Sequence, residues 1–235
     1  MPWSWGQGAY SSSSSRRDRL EFGLIPALGY DKEPAAKTLY AEILSDPASF
    51  IELLKLVYHP STRTDREEPS ESSKAAAEIA HRVLMRCKRV PGMREDGTVD
   101  EAAFSDFVEE ARKLAAEAGR AKVFDSELGE MLAHAPAGAD GIWPFQAARD
   151  LLDRPELETA RKGLATGLFN KRGMVSKSFA EGGGQERELA ALYHGQAQAL
   201  HQSHPLLAAA LDRLGRDYEA YARGEDIEAK LRQEG

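Results

Sequence analysis

One cysteine, Cys87, stands in a chain of 235 residues. No disulfide can close within the chain, and no cysteine-built zinc cage can form. A lone thiol fits a reducing compartment without demanding one. No apolar run approaches the roughly 18 residues of a membrane-spanning helix. The first residues, MPWSWGQGAYSSSSSRRDR, lack an apolar stretch ahead of their arginines and so do not read as a secretory signal. Cytoplasmic is the location expected by default. Positive charge is in deficit, with 31 Lys and Arg against 38 Asp and Glu for a net charge of -7. That balance argues against wholesale coating of nucleic acid or of an anionic membrane, and no membrane partner is expected. Strand signals are missing as well. No run of alternating β-branched residues is closed by hairpin turns, and no repeat consensus aligns the chain with itself.

What is present is ordinary core-building material, 42% hydrophobic and 29% charged residues. The length allows one large domain or two small ones. Five prolines, Pro34, Pro47, Pro144, Pro155 and Pro205, precede apolar residues at helical spacing. Proline suits a first helical turn because its missing N–H is not needed there. After Pro34 come Leu39, Tyr40, Ile43 and Leu44; after Pro47 come Phe50, Ile51, Leu54 and Val57, with Asp46 placed to cap. The next stripe, Ala80, Val83, Leu84 and Cys87, is expected to stop at Pro91-Gly92. Thr98–Glu101 resembles a capping box ahead of Phe104, Phe107 and Val108. Gly119 should end or bend that helix. Gly163 and Gly167, four apart, either admit a neighbouring backbone or are simply tolerated. Trp143 should plug a gap between helices. Long helices follow through Leu189–Leu200 and Leu207–Tyr221.

These periods predict an all-α fold of about nine helices, an irregular bundle or short α-solenoid of antiparallel hairpins. Residues 1–22 read as a disordered tail. Residues 23–235 read as one helical domain, with possible subdivision near 60–70 or 136–143.

The main departure from helical patterning is the polar stretch NKRGMVSKSFAEGGGQERE between Asn170 and Glu188. Long loops within compact domains are uncommon and often functional. Residues 161–180 hold Arg161, Lys162, Lys171, Arg172 and Lys177 without an acid, and Gly182–Gly184 then open a helix. Free N–H groups at a helix start can hold an anion. The spacing is not that of a P-loop, and a solvated connection is the competing reading. Lys171, Arg172, Lys177, Gln185 and Arg187 are the candidate anion- or partner-binding residues. If they act so, neutralising Lys171, Arg172 and Lys177 should weaken partner capture with little change in melting temperature.

A second basic face is Arg82, Arg86 and Arg89, at i, i+4 and i+7. A nucleic-acid backbone could use it, although Glu78 can pair with Arg82. His194, His201 and His204 cluster in sequence without metal-ligand spacing, so no metal site is expected. No nucleophile elbow or buried carboxylate pair is marked. No catalytic residue and no cofactor are assigned. Tyr218, Tyr221 and Trp143 are possible interface anchors, each with burial in its own core as the competing fate.

The segments LLKLVYHPST, LAHAPAGADGIWP and GLFNKRGMVSKSFAEGGGQERELAALYHGQAQAL resemble the C-terminal helical region of large bacterial proteins of unknown function, over roughly residues 35–230. The resemblance carries no activity. It implies a terminal piece of something longer. The favoured reading is a non-enzymatic protein-interaction or scaffold module with another protein as partner. The alternatives are a nucleic-acid-associated accessory protein, or a hydrolase with a composite carboxylate and histidine site, in which His194 and His201 would meet acids in a concave pocket.

Overall fold

The computed structural model describes residues 37–60, 70–173 and 182–234. Among them are nine α-helices: α1 (Lys37–Ser45), α2 (Pro47–Val57), α3 (Glu71–Arg86), α4 (Glu101–Glu117), α5 (Ala121–Leu132), α6 (Gln146–Leu152), α7 (Glu158–Lys171), α8 (Gly184–Leu200) and α9 (Pro205–Glu234). A 3-10 turn, Pro155–Leu157, leads into α7. The only β feature among the described residues is one bridge, Met93 to Val99. The chain separates into two compact units, Met1–Glu127 and Leu128–Gly235, with the boundary inside α5. Pro34 and the expected tail lie outside the described residues.

In the first unit α2 packs against α1, α3 and α4. Asp46 alone joins α1 to α2, and its carboxylate accepts from the Ala48 and Ser49 N–H groups at 3.2 Å. The core is built on Phe50, with Phe107 and Phe124 edge-on to it at 5.9 and 5.8 Å. Three such rings interlock without any polar atom to satisfy. α4 closes in a Schellman motif: Arg120 N–H donates to Ala115 O, Gly119 N–H donates to Ala116 O, and Gly119 takes φ +67°.

Two local expectations change. Thr98 does not cap α4; Asp100 does, accepting from Ala103 N–H at 3.1 Å, while the Thr98 hydroxyl donates to Asp96. The shorter acid sits in extended backbone one residue before the helix and reaches the free N–H groups directly. α3 ends at Arg86, ahead of Pro91-Gly92, with Cys87 as its buried C-cap. Arg89 therefore lies beyond the helix and shares no helical face with Arg82 and Arg86.

In the second unit α8 and α9 form an antiparallel hairpin, and α6 and α7 also pack on α9. The backbones of α5 and α7 approach closely in it. A Cβ on Gly129 would stand 2.0 Å from Ala160 O, and one on Gly167 would stand 2.7 Å from Glu130 O. Gly167 thus admits a neighbouring helix. Its counterpart across the contact is Gly129, which periodicity does not single out.

Pro47 and Pro205 occupy first helical positions, whereas Pro144 follows a cis peptide bond from Trp143 and precedes α6 by two residues. Trp143 Nε1 donates to Ala135 O at 2.9 Å. The buried Arg149 guanidinium ties this turn to α6, donating to Asp140, Ile142 O and Gln146.

Candidate functional site

The end of α7, the start of α8 and the distal half of α9 converge in the second unit. Their side chains form a layered aromatic cluster. Tyr218 is its fully buried centre, stacked on Tyr193 at 5.6 Å and on Phe169 at 6.4 Å. Tyr221 lies edge-on to Tyr218 at 6.1 Å and touches Phe169 at 6.3 Å. The centre is sealed, but the outer pair is not: Phe169 is 50% and Tyr221 53% exposed. Rings held on a rigid base expose apolar area while losing little side-chain freedom on contact, the property that makes aromatics interface anchors.

A polar layer lies against the same centre. The Arg172 guanidinium sits 5.9 Å from the Tyr218 ring and pairs with Glu186. Glu186 is only 2% exposed. The Tyr218 hydroxyl is buried and has no hydrogen-bond partner among the described residues. Burial pushes the Tyr218 hydroxyl above its ordinary range, against the opposing pull of Arg172. Burial pushes Tyr193 up to about 12. Both phenols stay neutral at physiological pH, so the cluster offers no phenolate base.

The helix start that the glycines predict as an anion site already holds an anion. Gly183 N–H donates to Asp226 Oδ1 at 2.8 Å, and Arg187 Nη1 donates to Asp226 Oδ2 at 2.7 Å. Arg187 and then that N–H hold the Asp226 carboxyl below its usual range, as expected for an acid at a helix N-terminus. Of the candidate residues, Arg172 and Arg187 thus serve internal ion pairs, and Lys171 Nζ donates to Ala133 O at 3.0 Å. Gln185 is half-buried in the first turn of α8. Lys177 lies outside the described residues. Arg172 is only 18% exposed beside a 3% exposed partner, so its removal breaks a largely buried ion pair. Neutralising it should lower the melting temperature.

In the first unit, Arg82 pairs with Glu78 at 2.6 Å. The Arg89 guanidinium donates to Met93 O and Arg94 O at 2.8 and 3.0 Å, fastening the turn after α3. Arg86 is half-buried at the end of α3.

The histidines are spread out. His194 meets Asp212 at 2.8 Å and Glu219 at 3.4 Å across the hairpin, lying over Gly215, where any Cβ would meet the ring at 2.7 Å. His201 is exposed in the turn after α8. His204 is buried, with its Nε2 2.9 Å from Asp150. Among the described residues no group of three or more His, Cys, Asp or Glu side chains could hold a metal ion, and no helix is long and apolar enough to cross a membrane.

No family model matches this chain, and no curated protein or solved structure matches it.

The polar stretch is visible in sequence, and so are Tyr218 and Tyr221. Phe169, Glu186 and Asp226 are not singled out by sequence reasoning. Phe169 continues an ordinary apolar stripe, and the partners of the two acids come from other helices. A weak signal for Phe169 exists: it directly follows Leu168 in FNKR, so one of the two must leave the buried face of a single helix.

Proposed function

We propose that this protein is a non-enzymatic interaction module whose contact surface centres on Phe169 and Tyr221, and whose partner is another protein. The observation that supports the reading is an exposed ring pair seated on a sealed aromatic base, at the edge of the α8–α9 hairpin. Large apolar rings left half in water are worth explaining when they touch each other and are rigidly backed. The anion-capture form of the reading has less behind it, because Arg172 and Arg187 already hold carboxylates of the same chain. Lys171 and Arg172 then serve as polar rim around an apolar centre.

The test is comparative. Wild-type chain and the double variant Phe169→Ser/Tyr221→Ser are recovered from their native host at equal expression, and co-purifying proteins are quantified. Loss of a defined protein from the variant, with the helical circular dichroism signal retained, supports the reading. An unchanged set at unchanged abundance contradicts it.

A further inference from the structure

The far half of α9 carries a second apolar feature, on a different side from the ring pair. Ala220, Gly224, Ile227 and Leu231 follow the alternating four-three-four spacing of a coiled-coil seam, and all four are exposed. Ile227 is 60% and Leu231 64% exposed. The opposite face of the same turns is occupied: Ala222 and Ala229 are buried, and Asp226 faces Gly183 and Arg187 of α8. With about 100° per residue, the seam lies roughly a quarter turn from Tyr221 and well away from Phe169. A Cβ at Gly224 would meet nothing within 4 Å, so the packing of this chain does not require glycine there. Its smallness, with that of Ala220, leaves the seam shallow enough for another helix to approach closely.

The charges beside the seam choose the occupant. Arg216, Arg223 and Lys230 line one flank, while Tyr221 and Glu228 line the other; all five are exposed. If a second α9 runs parallel, each flank meets the opposite flank of its neighbour, displaced by five residues. Arg223 of each copy then meets Glu228 of the other, twice by symmetry. If the second α9 runs antiparallel, like flanks meet, and Arg223 faces Lys230. One orientation brings opposite charges together and the other opposes like charges. Among the described residues Glu228 pairs with exposed Arg232, at 2.7 Å one turn away, a surface pair that exchanges at little cost.

We propose that α9 is a self-association seam, on which a second copy of this chain docks in parallel through Ala220, Gly224, Ile227 and Leu231. The seam spans only about three turns, roughly 16 Å, so association is weak and depends on concentration. This inference rests on the four seam residues and on Arg223 facing Glu228, and it does not depend on the function proposed above.

Sedimentation equilibrium from about 10 μM to about 1 mM covers the range in which a small interface reports. The expected result is a mass approaching twice that of the single chain at the upper end. Leu231→Glu should stay monomeric throughout with its helical signal intact. Arg223→Glu should weaken association roughly tenfold, and Arg223→Glu/Glu228→Arg should restore it. Orientation is read from Ala220→Cys in a Cys87→Ala background: parallel copies place this position against itself and oxidise to a covalent dimer, whereas antiparallel copies place it against Leu231. Phe169→Ser should leave the mass profile unchanged. A wild-type chain that stays monomeric to the highest concentration, association that survives Leu231→Glu, or a dimer that Ala220→Cys cannot cross-link would each overturn the proposal.

Discussion

The two units place aromatic side chains differently. In the first, Phe50, Phe107 and Phe124 meet edge to face and all are at most 5% exposed. In the second, Tyr193 and Tyr218 are buried, yet Phe169 and Tyr221 stack outward from them into solvent. The polar content of the two clusters differs as well. The phenylalanine trio has no polar atom to satisfy, whereas the second cluster encloses Glu186, Arg172 and a Tyr218 hydroxyl with no hydrogen-bond partner among the described residues. A purely apolar cluster gives its whole surface to folding. The second cluster withholds part of its surface and keeps buried charge beside it, an arrangement that folding alone does not favour.

Removing ring atoms separates the two most strongly. Phe50→Ala should cost about 4 kcal/mol in urea unfolding, through lost transfer energy and a cavity at the three-ring junction. Phe169→Ala should cost about 1 kcal/mol, since half the ring is already in water. Equal losses would erase the distinction between a folding cluster and a contact cluster.

Charge removal gives the next effect within the second unit. Arg172→Ala removes the guanidinium that pairs with buried Glu186 and should destabilise by about 3 kcal/mol. Arg187→Ala opens an exposed pair, with side chains 55% and 38% exposed, and should change unfolding midpoints by less than about 1 kcal/mol.

Glycines sharpen the contrast between close approach and tolerance. Gly129→Ala forces a methyl group into the α7 backbone and should cost about 2 kcal/mol. Gly195→Ala on α8 meets open space and should stabilise by about 0.8 kcal/mol by thermal melting.

The smallest effects are pH responses of opposite sign. Burial raises the Glu127 carboxyl above its ordinary 4.5, with the Tyr58 hydroxyl bond opposing. Its favourable contribution is present below that value and is lost as pH rises through the raised folded value. Glu127→Gln should therefore match wild type in acid, gain on it as pH climbs through that window, and keep a constant advantage above it. Asp226 lies below its ordinary 3.8 because of Arg187 and the Gly183 N–H. Its contribution is present above 3.8 and is lost as pH falls through the lowered folded value. Asp226→Asn should trail wild type at neutral pH and converge with it in acid. Paired unfolding curves across pH check both signs.

The helices are legible because burying an apolar stripe is a local, periodic demand. Pro47 and Pro205 mark helix starts, and Leu54, Val83, Leu164 and Leu211 fall on buried faces as their spacing requires. Boundaries are less legible where two side chains compete for the same N–H groups, as Thr98 and Asp100 do, or where a tight turn ends a helix early, as after Arg86. The candidate site is legible only in part. Its polar stretch and two tyrosines stand out in sequence. The pairing of Arg172 with Glu186, and of Asp226 with the first turn of α8, depends on which helices fold back together, and neither is written in any local pattern. Gly129 escapes notice for the same reason, since its need for smallness arises from Ala160 on another helix.

The most direct test of the interaction surface is site-specific photocross-linking in the native host. A photoreactive side chain is placed at Phe169 and, as control, at Glu109 on the exposed face of α4. The account predicts a discrete adduct to another protein from position 169 that is absent from position 109. Equal labelling from both positions, or none from position 169 in a folded and expressed chain, would contradict it.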